Sequence, residues 1–233
     1  MTATPRTLIV GNSDGIGLAL TRRLLAAGYD VTGVSRRASP LGAVERYAHV
    51  VADVAAQDYR ATLRELVAQR GPFGLCVYCA GIGEPLDVQD LSREVPVFQV
   101  NLIGAVETLA SVIPPMVAAG AGQVLVLSSL ADEVLSSTVP SYAASKAGLS
   151  SYLGGLALAL SSRGVAVTNV RFGFVDTKLA RAPQRPFMIP VERAVDVIVK
   201  ALKTRRARVT YPLRMALVVK VLRAVALLRL WFG

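Results

Sequence analysis

The most restrictive feature of this 233-residue chain is a set of short apolar runs that lack any polar alternation. Residues 7–10 read Thr-Leu-Ile-Val and residues 124–127 read Val-Leu-Val-Leu. A strand wet on one side shows period two, so strands of this kind are buried on both faces, as in a parallel sheet covered by helices on each side. Strands are expected at Thr7–Val10, Val31–Ser35, Ala48–Ala52, Leu75–Tyr78, Val124–Ser128, Val165–Val170 and Arg208–Tyr211. Helical patterns lie between them at Ile16–Ala27, Gln57–Gln69, Leu91–Ala119, Tyr142–Ser162 and Val191–Lys203. Right-handed crossovers then give an α/β fold, a Rossmann-type doubly wound parallel sheet of about seven strands with its ligands at the strands' carboxyl ends. Residues 1–211 are expected to form one domain of this Rossmann type, and residues 212–233 a basic, apolar C-terminal helical extension. Pro114-Pro115 should bend or end its helix, and Ala182–Pro190, with three prolines, reads as a loop near the cleft.

Composition narrows the partners. The hydrophobic share is 53% and the mean hydropathy +0.48, yet no apolar stretch reaches the roughly 18–20 residues of a membrane-spanning helix. Residues 1–10 lack a signal-peptide layout, so a cytoplasmic location is expected. Charge is lopsided: residues 1–170 hold 12 basic and 13 acidic side chains, residues 171–233 hold 14 and 3. The basic excess suggests an anionic partner for the last quarter, such as a phosphorylated substrate, an acidic carrier protein or an anionic membrane surface. A solvated basic tail is the plain alternative. Nucleic acid is not expected, since no binding motif and little aromatic interleaving accompany the charge. Cys76 and Cys79 form a CxxC string, but positions three apart on a strand face opposite sides, and His49 is the only histidine. Buried thiols and no metal site are the expectation.

Gly11-Asn12-Ser13-Asp14-Gly15-Ile16-Gly17 leaves the first strand and opens the first helix, which is the context a phosphate-cradling turn requires. Gly11 allows the sharp turn, Gly15 lets backbone approach a pyrophosphate, and Gly17 lets the helix pack closely. An acidic residue at the end of the second strand would favour NAD. Ser35-Arg36-Arg37 stands there instead, and its guanidinium forks suit the 2′-phosphate of NADP. Asp14 opposes that charge unless it turns to solvent. Asp53 is placed to bind the adenine edge, or else to cap a turn, and Val54 to line the ring pocket.

Tyr142 and Lys146, in Ser-Tyr-Ala-Ala-Ser-Lys at 141–146, lie at i and i+4 on one helix face. An ammonium so placed can depress a phenol, ordinarily near pKa ~10, and a poised tyrosine can exchange a proton with an alkoxide or alcohol.

Taken in order, the glycine turn, Asp53-Val54, Ala80-Gly81, Asn101 in Phe-Gln-Val-Asn-Leu-Ile-Gly, Ser128-Ser129, the Tyr142–Lys146 pair and Gly-Phe-Val-Asp-Thr at 173–177 resemble the short-chain dehydrogenase/reductase family, in its single-domain branch, over roughly residues 6–205. The resemblance implies a catalytic tetrad. Asn101 would hold a water through a local helix distortion, Ser129 would bond the substrate oxygen, Tyr142 would be the general acid or base, and Lys146 would tune it and hold the nicotinamide ribose. Cofactor contacts would come from Gly11, Asn12, Ser13, Asp14, Gly15, Ile16, Gly17, Ser35, Arg36, Arg37, Asp53, Val54, Ala80, Gly81, Tyr142, Lys146, Val175 and Thr177. The chain departs from the family pattern at Val10, at Tyr78-Cys79 and at Phe172, positions that bear on cofactor affinity and rigidity rather than on the tetrad.

These readings converge on an NADP(H)-dependent oxidoreductase interconverting a ketone and a secondary alcohol, acting as a homodimer or homotetramer. A non-catalytic NADP(H)-binding sensor or scaffold is the alternative, although a silent binder has no need of all four tetrad residues. A sugar-nucleotide epimerase fails on glycine spacing and length. Ile82, Val134, Leu135, Phe174 and Met188 hint at a hydrophobic substrate. Arg214, Lys220, Arg223 and Arg229 interrupt the terminal segment without sharing one helical face, leaving a substrate lid, an oligomer contact or a membrane-surface anchor as its roles.

Overall fold

The computed structural model describes residues 4–180, 182 and 184–232. Seven strands, β1 (Thr7–Val10), β2 (Val31–Ser35), β3 (Tyr47–Val51), β4 (Leu75–Tyr78), β5 (Gly122–Ser129), β6 (Val165–Phe172) and β7 (Arg208–Tyr211), form one sheet in the order β3-β2-β1-β4-β5-β6-β7. Every pairing is parallel. The first strand lies inside the sheet, and the order reverses between β1 and β4, the switch point where such sheets open a crevice.

The unalternating runs are buried on both faces. Every residue of β1, β2 and β4 is buried, while the edge strands β3 and β7 are only partly so. Leu8, Val10, Cys76, Tyr78, Val124 and Val126 point to one side, where they meet α2 (Tyr59–Arg70), α4 (Gly104–Ala118) and α5 (Pro140–Leu160). Ile9, Leu75, Val77 and Leu125 point to the other, against α1 (Gly15–Ala26) and α6 (Val191–Thr204). Each such side chain contributes about 1.5–3 kcal/mol by leaving water, so the two layers together fix the register. Cys76 belongs to the first core and Cys79 packs on the second, so the two thiols diverge as the strand geometry requires.

Of the two outcomes expected at Pro114-Pro115, an ended helix does not occur: α4 runs through both to Ala118. A longer helical run, Leu91–Ala118, is long and apolar enough to cross a membrane, but half of its most apolar stretch is buried inside the fold. It is built from a 3₁₀ turn, the short α3 (Val95–Phe98), a π-helical turn at Gln99–Ile103, and α4. The terminal segment is a helix, α7 (Leu213–Phe232). It touches the body through Met215 and Val219, which pack on Leu130, Val134 and Phe174. Val134 and Phe174 are therefore committed to holding α7 and are not a free apolar lining for substrate. Within the 182–190 loop, Pro183 lies outside the described residues, as does Arg181 just before it.

Candidate active site

An open cleft of about 230 Å³ runs along the carboxyl ends of β1, β2 and β4. Of the residues expected to touch a cofactor, it is lined by Gly11, Ser13, Asp14, Gly15, Ile16, Gly17, Ser35, Arg36, Arg37, Val54, Ala80, Gly81 and Thr177. The turn is built as the glycines require. Gly11 has φ +85° and a Cβ there would lie 2.5 Å from the Ala80 amide, so only glycine fits between β1 and β4. A Cβ on Gly17 would meet the Gly11 carbonyl at 2.1 Å, which locks the helix start onto the turn. Asp14 caps α1 by accepting from the Gly15 amide at 2.8 Å. The amides of Ile16 and Gly17 lie too early in the helix for an intrahelical partner and so face an anion site. Left-handed glycine backbone, first-turn amides, two guanidiniums and an apolar Val54 wall fit a phosphorylated dinucleotide.

Several expected contacts are placed differently. Asn12 points inward: it is fully buried, donates to the Tyr47 hydroxyl at 2.7 Å and crowds Gly33. Its side chain therefore braces β2 and β3. Asp53 accepts from the Ala55 amide at 3.0 Å, the turn-capping alternative, and does not line the cleft, although Ala52 and Val54 do. Val175 is buried and bridges Ile189, and the Thr177 hydroxyl turns back to the Val175 carbonyl at 3.4 Å. Asp14 does not turn to free solvent. Lys178, which the sequence did not single out, reaches across the cleft to it at 2.6 Å, and Arg37 lies 3.7 Å from the same oxygen. Those cations and the Gly15 amide hold the Asp14 carboxyl below its ordinary range, the Lys178 hydrogen bond most of all.

The four tetrad candidates converge at the inner end of the cleft. Gly81 marks the junction, since a Cβ there would lie 3.4 Å from Asn101 Oδ1 and 3.6 Å from Lys146 Nζ. Beside it, a Cβ on Gly83 would lie 3.2 Å from the Tyr142 ring. Asn101 sits on the π-helical turn, so a helix distortion does occur where the resemblance implies one. Its amide is fully engaged: Oδ1 accepts from the Ile82 amide at 2.8 Å, and Nδ2 donates to the Ile82 carbonyl and to Ser145 Oγ. Tyr78 pins the same turn by donating to the Val100 carbonyl at 2.6 Å, a brace supplied by one of the residues that departs from the family pattern. Helix α5, which carries Tyr142 and Lys146, starts at Pro140, and its Ser141 amide is capped by Glu94 from the preceding helical run. A carboxylate at a helix N-terminus is stabilising, and this one ties the tyrosine's helix to the Asn101 run.

The electrostatics correct one expectation. Lys146 lies 5.9 Å from the Tyr142 ring centroid and donates to the Leu127 carbonyl at 3.0 Å. The phenol is pushed above its ordinary value by burial and by the Asp132 carboxylate, with the Ser129 hydrogen bond pulling against them. In this state Ser129, not Lys146, is the group that favours the phenolate. Burial has also lowered the amine of Lys146 to about 8, against the nearby Cys79 and Asp132.

Behind Ser129 lies a polar cluster that sequence reading missed. Arg171 on β6 forks onto Asp132 with its Nε at 2.6 Å and its Nη2 at 2.5 Å, and also meets Glu133. Both partners are almost wholly buried, at 4% and 2% exposure. Ser150 donates to Asp132 at 2.6 Å and links onward to Ser128 and Asn169. The pair ties β6 to the turn that follows Ser129.

A seven-stranded parallel sheet with a glycine turn at its switch point, and Tyr, Lys, Ser and Asn meeting at that turn's inner end, defines a nucleotide-dependent Rossmann-type oxidoreductase. The chain belongs to the short-chain dehydrogenase/reductase family: the family model for short chain dehydrogenase matches residues 6–186. It is 32% identical over 224 residues to an "Uncharacterized oxidoreductase" of Myxococcus xanthus, covering 90% of this chain and 88% of the other. It is 30% identical to a "Probable NADP-dependent dehydrogenase" of Haemophilus influenzae, over 73% of this chain and 71% of that protein. A short chain dehydrogenase from Burkholderia cenocepacia, solved in complex with NADP, superposes with a TM-score of 0.84 at 23% identity, over 99% of this chain and 98% of its own. That last likeness speaks for the fold.

Proposed function

We propose that this protein is an NADP(H)-dependent oxidoreductase that interconverts a ketone and a secondary alcohol, with Tyr142 as the general acid or base. The observation that carries the reading is the placing of Asn101 and Lys146 beside Gly81 and of the Tyr142 ring beside Gly83, at the inner end of a cleft whose outer end holds Arg36 and Arg37. The cofactor, when bound, supplies or accepts the hydride. The chain's own residues do the rest. The first-turn amides of α1 hold the pyrophosphate, the two arginines hold the 2′-phosphate, and Lys146 takes the ribose hydroxyls from within its buried site. Ser129, whose hydroxyl favours the ionised form of Tyr142, and Tyr142 itself present two hydroxyls to one substrate oxygen. A phenol raised by burial is fully protonated near neutrality, which suits donation to an alkoxide as the carbonyl is reduced. The NADP named in the Haemophilus relative and bound in the Burkholderia structure supports the choice of dinucleotide.

We infer a hydrophobic ketone as substrate, with Ile82 lining the cleft and Leu135 and Met188 left half-exposed. We also infer a homo-oligomer. Leu91, Val95 and Phe98 are exposed at i, i+4 and i+7 along one helical run, a stripe that a second copy would cover. The reaction is tested with a panel of carbonyl compounds under NADPH and NADH, comparing wild type with Tyr142→Phe. The variant should keep NADPH binding and lose about 10²-fold or more in kcat. Equal turnover by the two proteins rejects the role of Tyr142, and faster turnover with NADH rejects the cofactor choice.

A further inference from the structure

Helix α7 is held to the body by its first two turns alone. Beyond Val219 no side chain in it is buried, and Ala226 is the single half-buried one among the described residues. At 100° per residue, Met215 and Val219 fall on one side of the helix. Leu213, Leu217, Val221, Leu228 and Trp231 fall within an arc of about 80° on the opposite side. Their exposures, 74, 68, 58, 58 and 80%, show that this outer stripe is bare. Its margins are cationic. Lys220 borders the arc on one edge and Arg214 on the other, with Arg223 and Arg229 further round on each flank. The four cations thus flank the outer stripe on both sides instead of forming a single basic face.

We propose that α7 is an interfacial anchor that lays its outer stripe into an anionic membrane surface. Residues 220–232 reach about 20 Å at 1.5 Å per residue and are interrupted by Lys220, Arg223 and Arg229, a pattern that suits lying in the interface of a bilayer. An amphipathic helix lying in the interface needs an apolar stripe, flanking Lys and Arg that snorkel to headgroups, and aromatic residues at the boundary. Trp231 and Phe232, 80 and 85% exposed, end the helix.

Charge selects the membrane over a second copy. No acidic residue follows Asp196, so pairing α7 with itself would bring together eight like charges without a counter-ion, while residues 1–170 carry a net charge of only −1. An anionic bilayer supplies both requirements at once. Because Met215 and Val219 pack on Leu130 and Phe174, the anchor is rooted next to Ser129, on the substrate side of the site.

The test is sedimentation of the full chain with phosphatidylcholine vesicles and with vesicles containing 30% phosphatidylglycerol (roughly the anionic share at which such helices bind well). Wild type should partition at least about tenfold more strongly onto the anionic vesicles. The variant Leu217→Glu/Val221→Glu/Leu228→Glu should lose that partitioning while keeping its melting temperature, since none of the three touches the body. Absence of wild-type binding, equal binding to both vesicle types, or undiminished binding by the variant overturns the proposal. So does light scattering that shows the same substitutions splitting a dimer in a wild-type protein that ignores vesicles. The readout is independent of turnover, so it stands or falls apart from the proposed reaction.

Discussion

Lys146 keeps its amine almost wholly buried, with the Leu127 carbonyl as its hydrogen-bond partner and a pKa lowered to about 8. The lowering means that burial costs the folded state free energy whenever the amine is charged. The sign follows from proton counting. Below about pH 8 folded and unfolded chains both hold the proton and the cost is full. Between about 8 and 10.5 the folded chain has released it first, so stability rises with pH. Above that window the cost is gone. Lys146→Met should therefore abolish turnover yet raise stability at pH 7 by about 1–3 kcal/mol, allowing for the carbonyl left unpaired. That gain should fade toward pH 10. Denaturant melts at several pH values check it, and a destabilised variant at pH 7 would contradict the reading of this site.

At the scale of elements, Asp132 and Arg171 weld β6 to the turn after β5, and the same turn holds Ser129. Removing one member of a buried pair strands the other, so Asp132→Ala should cost about 3–5 kcal/mol, while Asp132→Leu with Arg171→Met should recover most of it. Chemical denaturation of the single and double variants measures the difference. A double variant as unstable as the single one would show that the pair is not the weld. This network also marks where sequence reading stops. The glycine turn and the Tyr142–Lys146 pair were legible because each is local, written within a few residues and tied to a strand end or a helical repeat. Arg171 and Asp132 are 39 positions apart, and Lys178 and Asp14 are 164 apart. Nothing in either neighbourhood names the partner, and only the sheet brings them together. Asn12 was misread for a related reason: the turn motif shows which residues are near the phosphate, not which way each side chain faces. Pro114-Pro115 does not stop its helix because a breaker near a helix end costs little when the remaining turn is packed, as Met116 is here.

At the scale of the molecule, the sheet itself was the most legible part, since unalternating runs admit few solutions. The surface was less so. Apolar residues on α7 and on the 91–103 run look alike in composition, and only burial separates a docked side from a bare one. The 91–103 stripe predicts that the protein in solution is at least a dimer, and that Val95→Glu with Ile103→Glu yields a monomer by light scattering without lowering the melting temperature. Val95 and Ile103 are 55 and 50% exposed, so a large stability loss in place of dissociation would show that the stripe serves the fold itself. The strand order carries a further consequence, for biosynthesis. β4 can pair with β1, which precedes it in the chain, but its other partner, β5, follows only after the whole helical run between them. A growing chain in that interval would expose one bare edge of a strand buried throughout in the finished fold, the kind of edge along which nascent polypeptides associate. Chaperone demand should therefore peak midway through translation and fall once residue 129 has left the ribosome.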